Sequence, residues 1–205
     1  AWVWTGVFLL GVGIIIDTLY TKQTMGAGFD DEGELNANPL LMNLTMYAML
    51  PVFIALQCVL AYQIYNGMAG VELLGAVVSS GIFAGIGIIY GHELAHTKGF
   101  SFLIARWMMA LSGSSHFCYA HVYNHHLELG CENDPATAPR GRSLYAHLPK
   151  SYFGQSKFLY TMEKQRLKRL GVPFLSWQNR WIRGYAMSLP TIALFWFAGA
   201  WTGIA

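Results

Sequence analysis

Two groups of histidines carry the clearest chemical signal in this sequence. Five of its seven histidines form a pair of the form H-x3-H and a triple of the form H-x3-HH: His92, His96, His121, His125 and His126. Neutral imidazole is the commonest metal ligand in proteins. Residues four positions apart lie on one face of an α-helix, so each pair with this spacing can point at one place. His126 would then be turned to the side of His121 and His125. The pattern predicts a metal site that is richer in imidazole than a structural zinc site.

The ligand type leaves several metals open, because all-imidazole sites suit zinc, copper, iron or nickel. Residues 92–96 read HELAH and match the H-E-x-x-H spacing of zinc peptidases. That motif does not account for the second histidine group. A haem could take one axial histidine from each of two helices, but an adjacent pair such as His125 and His126 is not the usual way to supply them. The remaining interpretation is a histidine-rich di-iron site that activates O2 in a hydrophobic environment.

The composition places the chain in a membrane. Hydrophobic residues make up 54% of the 205 residues and charged residues only 12%, whereas a soluble domain carries roughly a quarter charged residues. The mean hydropathy is positive. Aromatic residues reach 15%, which fits the collection of Trp and Tyr at membrane interfaces. We therefore expect an all-α integral membrane protein, a helical bundle of transmembrane spans.

Apolar stretches predict where the spans lie. The predicted spans are residues 2–16, 46–65, 73–90 and 181–204. Between the first two we expect a polar loop over 21–43, and between the second and third a tight turn at Asn66-Gly67. Within the basic region that follows the histidines we expect an amphipathic helix over 157–170, with its Lys and Arg residues facing solvent or lipid headgroups.

A further apolar stretch over 100–119 decides whether the histidine groups can meet. If it crossed the membrane, the two groups would emerge on opposite faces. It contains Arg106 and a break at Ser112-Gly113, which favour an interfacial helix. Both histidine groups then lie on one side, as a histidine-box cap at the ends of the spans.

The distribution of charge predicts which side that is. Residues 99–205 hold eleven Lys or Arg and four Asp or Glu, and cytoplasmic segments carry such a basic excess. The cap is therefore expected to be cytoplasmic, with the 66–71 turn on the opposite side. In a chain with several spans this basic excess does not indicate a nucleic acid partner. The three cysteines, Cys58, Cys118 and Cys131, have no spacing typical of a disulfide framework or a metal site.

The two ends of the sequence suggest a piece of a longer protein. Residue 1 is not Met, and both termini fall inside apolar runs. We expect residues 1–205 to be a single membrane domain that is cut at both ends.

The two histidine segments and the residues after them resemble a known family. Residues 92–98 read HELAHTK, residues 120–126 read AHVYNHH, and residues 132–136 read ENDPA. These segments resemble H-E-L-G-H-K, E-H-x-x-G-H-H and E-D-P-A of the integral-membrane alkane 1-monooxygenases, within the fatty acid desaturase-like superfamily. The resemblance continues through RGRSLY at 140–145 and covers nearly the whole chain.

The resemblance implies a function. It implies two non-haem irons, O2 as co-substrate, and electrons from a rubredoxin-type donor, used to hydroxylate the terminal carbon of an alkane. The five histidines would be the iron ligands, and Glu93 and Asp134 would be acidic residues that support them. The implied setting is a bacterial inner membrane, with the metal site on its cytoplasmic side and a homo-oligomer as one possible assembly.

The sequence also departs from the family pattern. Ala120 and Asn124 replace Glu and Gly in the second box, and Thr97 is inserted before Lys98. A third histidine group, carried in the family by N-Y-x-E-H-Y-G, is not among these residues. The ligands missing from a di-iron site are expected from further sequence or a partner chain, with His116 and His147 as spare histidines. A fatty-acyl desaturase, an aromatic-methyl hydroxylase and a non-catalytic subunit of a membrane complex remain as alternatives.

Overall fold

The computed structural model describes residues 2–20 and 38–199, and their regular structure is entirely helical. A 3-10 helix at Trp2–Trp4 precedes α1, and a π-helix at His121–His125 joins α5 to α6. The α-helices are α1 (Thr5–Tyr20), α2 (Pro39–Tyr65), α3 (Gly70–Ala95), α4 (Gly99–Leu111), α5 (Phe117–Ala120), α6 (His126–Glu128), α7 (Leu144–Arg169) and α8 (Arg180–Phe197). The predicted all-α class is confirmed.

Two helices are long and apolar enough to cross a membrane, Leu40–Tyr65 within α2 and Gly70–Ala95. Only 11% and 17% of their most apolar windows are buried, so these are not core helices of a soluble protein, and they expose the apolar surface that a bilayer covers. They contain the second and third predicted spans. The first predicted span is the shorter helix α1. The last corresponds to α8, and its predicted end at residue 204 lies outside the described residues.

Helix α2 begins earlier than expected. The side chain of Asn38 accepts hydrogen bonds from the backbone N–H groups of Leu40 and Leu41, at 2.9 and 3.4 Å, and Pro39 occupies the first turn. Asn is a favoured N-cap, and Pro at the first helical position lacks only an N–H that would have no helical partner. The predicted loop over 21–43 is therefore wrong for residues 39–43. Residues 21–37 lie outside the described residues.

Small residues let α3 pack closely against its neighbours. The backbone N–H of Gly6 in α1 donates to the Ser79 hydroxyl over 3.1 Å, and that hydroxyl donates to the carbonyl of Val3 over 2.6 Å. A Cβ at Gly6 would lie 2.7 Å from the Cα of Ser79, and one at Gly87 would overlap the ring of Phe53. These contacts hold α1 and α2 against α3.

Helix α4 is too short to cross a bilayer. Its 13 residues span about 20 Å at 1.5 Å per residue, against about 30 Å of hydrocarbon. It ends at the predicted break, where Gly113 has φ of 72° and its carbonyl accepts the Tyr152 hydroxyl at 2.8 Å. The chain then starts a new helix at Phe117, so 100–119 is two helices rather than one.

Helix α7 is twice as long as the predicted amphipathic helix and is anchored at Glu163. This carboxylate is fully buried and accepts two hydrogen bonds from Arg166, each 2.7 Å long. It also accepts the backbone N–H of Arg180 at 2.9 Å. The prediction that the basic residues of this segment face solvent or lipid headgroups therefore does not describe Arg166, which is half-buried and pairs with the buried Glu163.

The chain forms two compact units: Ala1–Gly87 with Leu194–Ala205, and Ile88–Ala193. Every histidine lies in the second unit.

Candidate metal centre

The π-helix at His121–His125 sets the orientation of the second histidine group. The backbone N–H of His126 donates to the carbonyl of His121, five residues earlier, instead of four as in an α-helix. One extra residue in the turn brings His126 into line with His121. The expectation that His126 turns aside from His121 is therefore wrong, while His125 still stacks on His121 as its spacing predicts. His125 also faces Asp134.

Four imidazoles meet where α3 ends and the π-helix runs. The Nε2 of His121 lies 2.9 Å from the Nε2 of His126 and 3.4 Å from the Nε2 of His96. The ring centroids of His92 and His121 are 4.5 Å apart, and those of His96 and His126 are 4.8 Å apart. The ring of Phe117 stacks on His121 with a centroid separation of 4.9 Å. The structure thus brings both predicted histidine groups together.

These spacings fit a metal ion. One ring nitrogen from each of His92, His96 and His121 lies within 4.8 Å of the other two. Imidazole nitrogens bind zinc at about 2.1 Å, and two such ligands at right angles would have nitrogens about 3 Å apart. The observed separations of 2.9 and 3.4 Å are close to this value. The donor set is entirely imidazole, which suits iron, zinc, copper or nickel.

The surroundings of the cluster lower the pKa values of two of its rings, His96 and His121. Burial, together with the neighbouring His92 and His126, lowers the pKa of His121 to about 3. Burial also lowers the pKa of His96, with smaller contributions from His92 and His126. A neutral imidazole keeps the lone pair that binds a metal, so these rings need not lose a proton to become ligands.

His125 is held by a carboxylate. Its Nδ1 lies 2.7 Å from the Oδ2 of Asp134, whose side chain is completely buried. An ionised carboxylate accepts a hydrogen bond and therefore holds the imidazole proton on Nδ1, which leaves Nε2 as the free donor atom. His125 stacks on His121 with centroids 5.2 Å apart. Carboxylate–histidine pairs of this kind orient metal-bound imidazoles.

Asp134 is itself fixed by its own loop. The Thr137 hydroxyl donates to Oδ2 over 2.5 Å, and the backbone N–H of Ala136 donates to Oδ1 over 2.9 Å. Burial favours the neutral acid, but the hydrogen bonds from Thr137, His125 and Ala136 outweigh it and lower the pKa of Asp134. Sequence reasoning missed Thr137, although a Thr three residues after an Asp in a turn is a recognisable signal.

Glu93 contacts His92 but is far more exposed than Asp134. Its Oε1 lies 3.1 Å from the Nδ1 of His92, and its side chain is 61% exposed. The contact would leave the Nε2 of His92 for a metal, as Asp134 does for His125. Because water competes for an exposed carboxylate, this contact constrains His92 less than Asp134 constrains His125.

The spare histidines make other contacts. His116 is buried, and its ring packs edge-on against Tyr152 and parallel to Tyr185, with centroids 4.7 and 5.8 Å away. Burial lowers the pKa of His116 to about 4. The Nε2 of His147 lies 3.2 Å from the carbonyl oxygen of Ala136. His147 therefore braces the loop that carries Asp134.

Comparison with known proteins agrees with this geometry. The model of the family described as "Fatty acid desaturase" matches residues 69–205. The chain is 28% identical to an alkane 1-monooxygenase of Acinetobacter baylyi, over 85% of this chain and 43% of that protein. It is 28% identical to alkane 1-monooxygenase 1 of Pseudomonas aeruginosa, over 96% of this chain and 52% of that one. With alkane 1-monooxygenase 1 of Alcanivorax borkumensis the identity is 30%, over 86% and 45%.

The chain spans about half the length of the curated relatives it matches. The family match covers both histidine groups, Asp134 and the helices that carry them. The chain therefore belongs to the fatty acid desaturase family and is a homologue of the alkane 1-monooxygenases.

Proposed function

We propose that this chain is the histidine-bearing part of a membrane-bound non-haem di-iron monooxygenase that hydroxylates the terminal carbon of alkanes. O2 is the co-substrate, and a rubredoxin-type protein supplies the electrons. The observation that carries the proposal is the meeting of four imidazoles from α3 and the π-helix, with nitrogens 2.9 and 3.4 Å apart. The names of the relatives, alkane 1-monooxygenase, supply the substrate class.

In this proposal the residues of the chain hold and orient the iron. His92, His96, His121 and His126 present ring nitrogens to one place, and His125 presents its Nε2 because Asp134 holds the Nδ1 proton. When bound, iron would activate O2 so that one oxygen atom enters a C–H bond and the other leaves as water. The further ligands that a second iron needs are proposed to come from outside these residues.

Phe117 covers one face of His121, and the neighbouring Leu94 and Ala95 are buried, whereas His96 and His126 are exposed. In our proposal the rest of the cover that keeps water away from the oxidising reaction comes from outside these residues. The side of the membrane follows in our proposal from the basic segment after the histidines, which places the metal on the cytoplasmic side of a bacterial inner membrane.

A fatty-acyl desaturase is the second candidate, favoured by the family model that the chain matches. Hydroxylation and desaturation both begin at an unactivated C–H bond of a bound alkyl chain. The product distinguishes them: a primary alcohol from a linear alkane, or a double bond in a fatty-acyl chain.

The first test is the metal content of the purified full-length protein in detergent. We expect about two irons per chain and no haem absorption band. His121→Ala should remove most of the iron, because the ring of His121 contacts three other imidazoles of the cluster. Incubation with a medium-chain alkane, a reduced rubredoxin and O2 should then give the primary alcohol.

Lys157→Gln is the control. It changes an exposed side chain of α7 in the same unit, so its iron content should equal that of the parent protein. An unchanged iron content in His121→Ala, or a haem band in the parent protein, would refute the proposed site.

A further inference from the structure

Two guanidinium groups lie against the ring of Tyr119. Arg106 of α4 has its Cζ 5.3 Å from the centroid of the Tyr119 ring, and Arg180 at the start of α8 has its Cζ 5.2 Å from the same centroid. Arg106 is only 7% exposed. The electron-rich ring faces of tyrosines attract cations at this range.

Contact with the Tyr119 ring leaves hydrogen-bond donors of the arginines in this region without partners. The Nε and Nη2 of Arg106 are buried and have no hydrogen-bond partner among the described residues, and the same is true of the Nε of Arg183. A guanidinium carries five N–H donors in one plane. Contact with a ring face leaves those in-plane donors unused, and a buried donor without a partner is costly.

The charges in this region do not balance. The buried carboxylate of Glu163 forms ion pairs with Arg166 and Arg180. Among the described residues, no carboxylate lies within 4.0 Å of Arg106 or Arg183. Burial lowers the pKa of Arg106, and the nearby charges of Arg183 and Arg180 lower it further, against an opposing contribution from Tyr119. Buried charge of one sign requires a counter-charge.

The position of α4 indicates where that counter-charge comes from. On the outer side of this helix Leu103 and Trp107 are 43% and 36% exposed, one turn apart. The helix is too short to cross a bilayer, and an exposed apolar stripe with a Trp is typical of a helix that lies at the membrane interface. Arg106, next to Trp107 in the chain, is then at the depth of the lipid headgroups.

We propose that Arg106 and Arg183 bind a phosphate oxyanion, the headgroup phosphate of an anionic phospholipid. The planar donors of arginine match the oxygens of a phosphate. Arg183 is half-buried and forms the outer part of the site, Arg106 the inner part, and the acyl chains cover Leu103 and Trp107. The site is independent of the metal and of the proposed reaction.

The experiment measures ligand binding through the thermal unfolding midpoint of the purified protein in non-ionic detergent. A ligand that binds the folded state raises this midpoint as its concentration increases. Phosphatidylglycerol, phosphatidylcholine and inorganic phosphate are titrated in parallel. We expect phosphatidylglycerol to raise the midpoint and phosphatidylcholine to raise it much less, because its choline cation cancels the phosphate charge. A rise with inorganic phosphate but with neither lipid would contradict the proposed lipid headgroup and indicate free phosphate as the ligand.

The variants are Arg106→Gln and Arg183→Gln, with Lys157→Gln as the matched control. Each arginine variant should bind phosphatidylglycerol about tenfold more weakly or worse, as expected for losing charge-assisted hydrogen bonds. Lys157 is exposed on α7, and its variant should bind as the parent does. Because Arg106 is buried, Arg183→Gln tests the site even if Arg106→Gln does not fold. Equal affinity in the parent protein and Arg183→Gln, or equal effects of the two lipids, would overturn the proposal.

Discussion

At the residue scale, His125 and His126 differ in the side chains that they contact. Both are adjacent in sequence, yet His126 lies beside His121 and His125 donates to Asp134. Asp134 is buried and accepts from Thr137 and Ala136 as well. The candidate metal site therefore includes a loop whose Asp134 lies eight residues beyond His126 and contacts one imidazole, His125, through its carboxylate.

Asp134→Asn tests that contact. An amide can still accept a hydrogen bond but carries no charge, so it holds the His125 tautomer less firmly. We expect iron affinity to fall by about 10- to 100-fold, as for other supporting carboxylates, measured by competition with a chelator.

Glu132→Gln serves as the control for Asp134→Asn. Glu132 is an exposed carboxylate two residues earlier, and its variant should keep the affinity of the parent protein. Equal affinity in all three proteins would mean that Asp134 does not act on the metal.

The sequence predicts which histidines cluster, but not which contacts each of them makes. Their spacing and their position after an apolar helix predict that they cluster. Which of His125 and His126 joins His121 depends on a single backbone hydrogen bond that skips five residues instead of four. A pattern with a period of 3.6 residues cannot show that bond.

At the element scale, α1 and α3 depend on a glycine contact. Gly6→Ala would place a Cβ 2.7 Å from the backbone Cα of Ser79, an atom that cannot move without shifting α3. We expect destabilisation of about 1–3 kcal/mol, measured as a lower thermal midpoint in detergent.

The matched variant is Gly11→Ala, in the same helix. A Cβ at Gly11 has no neighbour within 4 Å, and Ala is a better helix former than Gly by about 1 kcal/mol. Gly11→Ala should therefore be neutral or stabilising. If the two variants lower the midpoint equally, close packing at Gly6 is not the cause.

Glu163 makes the connection between α7 and α8 sensitive to acid. Burial opposes its ionisation, but hydrogen bonds from Arg166 and the backbone N–H of Arg180 outweigh burial, so its pKa lies below the usual value. A carboxyl whose pKa is lower in the folded state stabilises the protein above its unfolded-state pKa. That stabilisation is lost as the pH falls through the folded-state pKa.

Glu163→Gln should remove this contribution and leave Arg166 unpaired. We expect a loss of about 3 kcal/mol at neutral pH and a smaller fall in the thermal midpoint on acidification below about pH 4.5. Lys164→Gln, at an exposed neighbouring position, should keep the pH profile of the parent protein. The expectation fails if Glu163→Gln loses stability at low pH as steeply as the parent.

Some features of the helices can be predicted from the sequence, and others cannot. Asn38-Pro39 is a recognisable helix start, although the polar character of the preceding residues favours a loop. The pair of Glu163 and Arg166, three residues apart, has the spacing of an ordinary surface pair. Its burial arises from the N-terminus of α8, which lies 17 residues further along the chain, and such tertiary contacts leave no periodic signal.

At the scale of the whole molecule, the basic segment predicts a topology. Cys131 is a free, exposed cysteine in this segment, five residues after His126. In a Cys58→Ser, Cys118→Ser background, a membrane-impermeant maleimide should label Cys131 only after the inner membrane is permeabilised.

A second variant reports the opposite side. Asn66 caps α2 at the turn before α3 and is exposed. Asn66→Cys, with Cys131→Ser in the same background, should be labelled in intact spheroplasts. Labelling of Cys131 without permeabilisation would place the histidine cluster on the outer face and contradict the proposed cytoplasmic site.

The π-helix has a consequence for protein engineering. Its one extra residue means that the string H-x3-HH does not by itself encode the donor geometry. In a regular α-helix the same sequence pattern would place His121 and His125 on one face and turn His126 away. His125, not His126, would then be the nearer partner of His121. A design that reproduces this site must therefore include the π-helical turn and a buried carboxylate beside it. Conversely, deleting one residue between His121 and His125 would place His126 four residues after His121, so that a regular α-helix could keep these two imidazoles together.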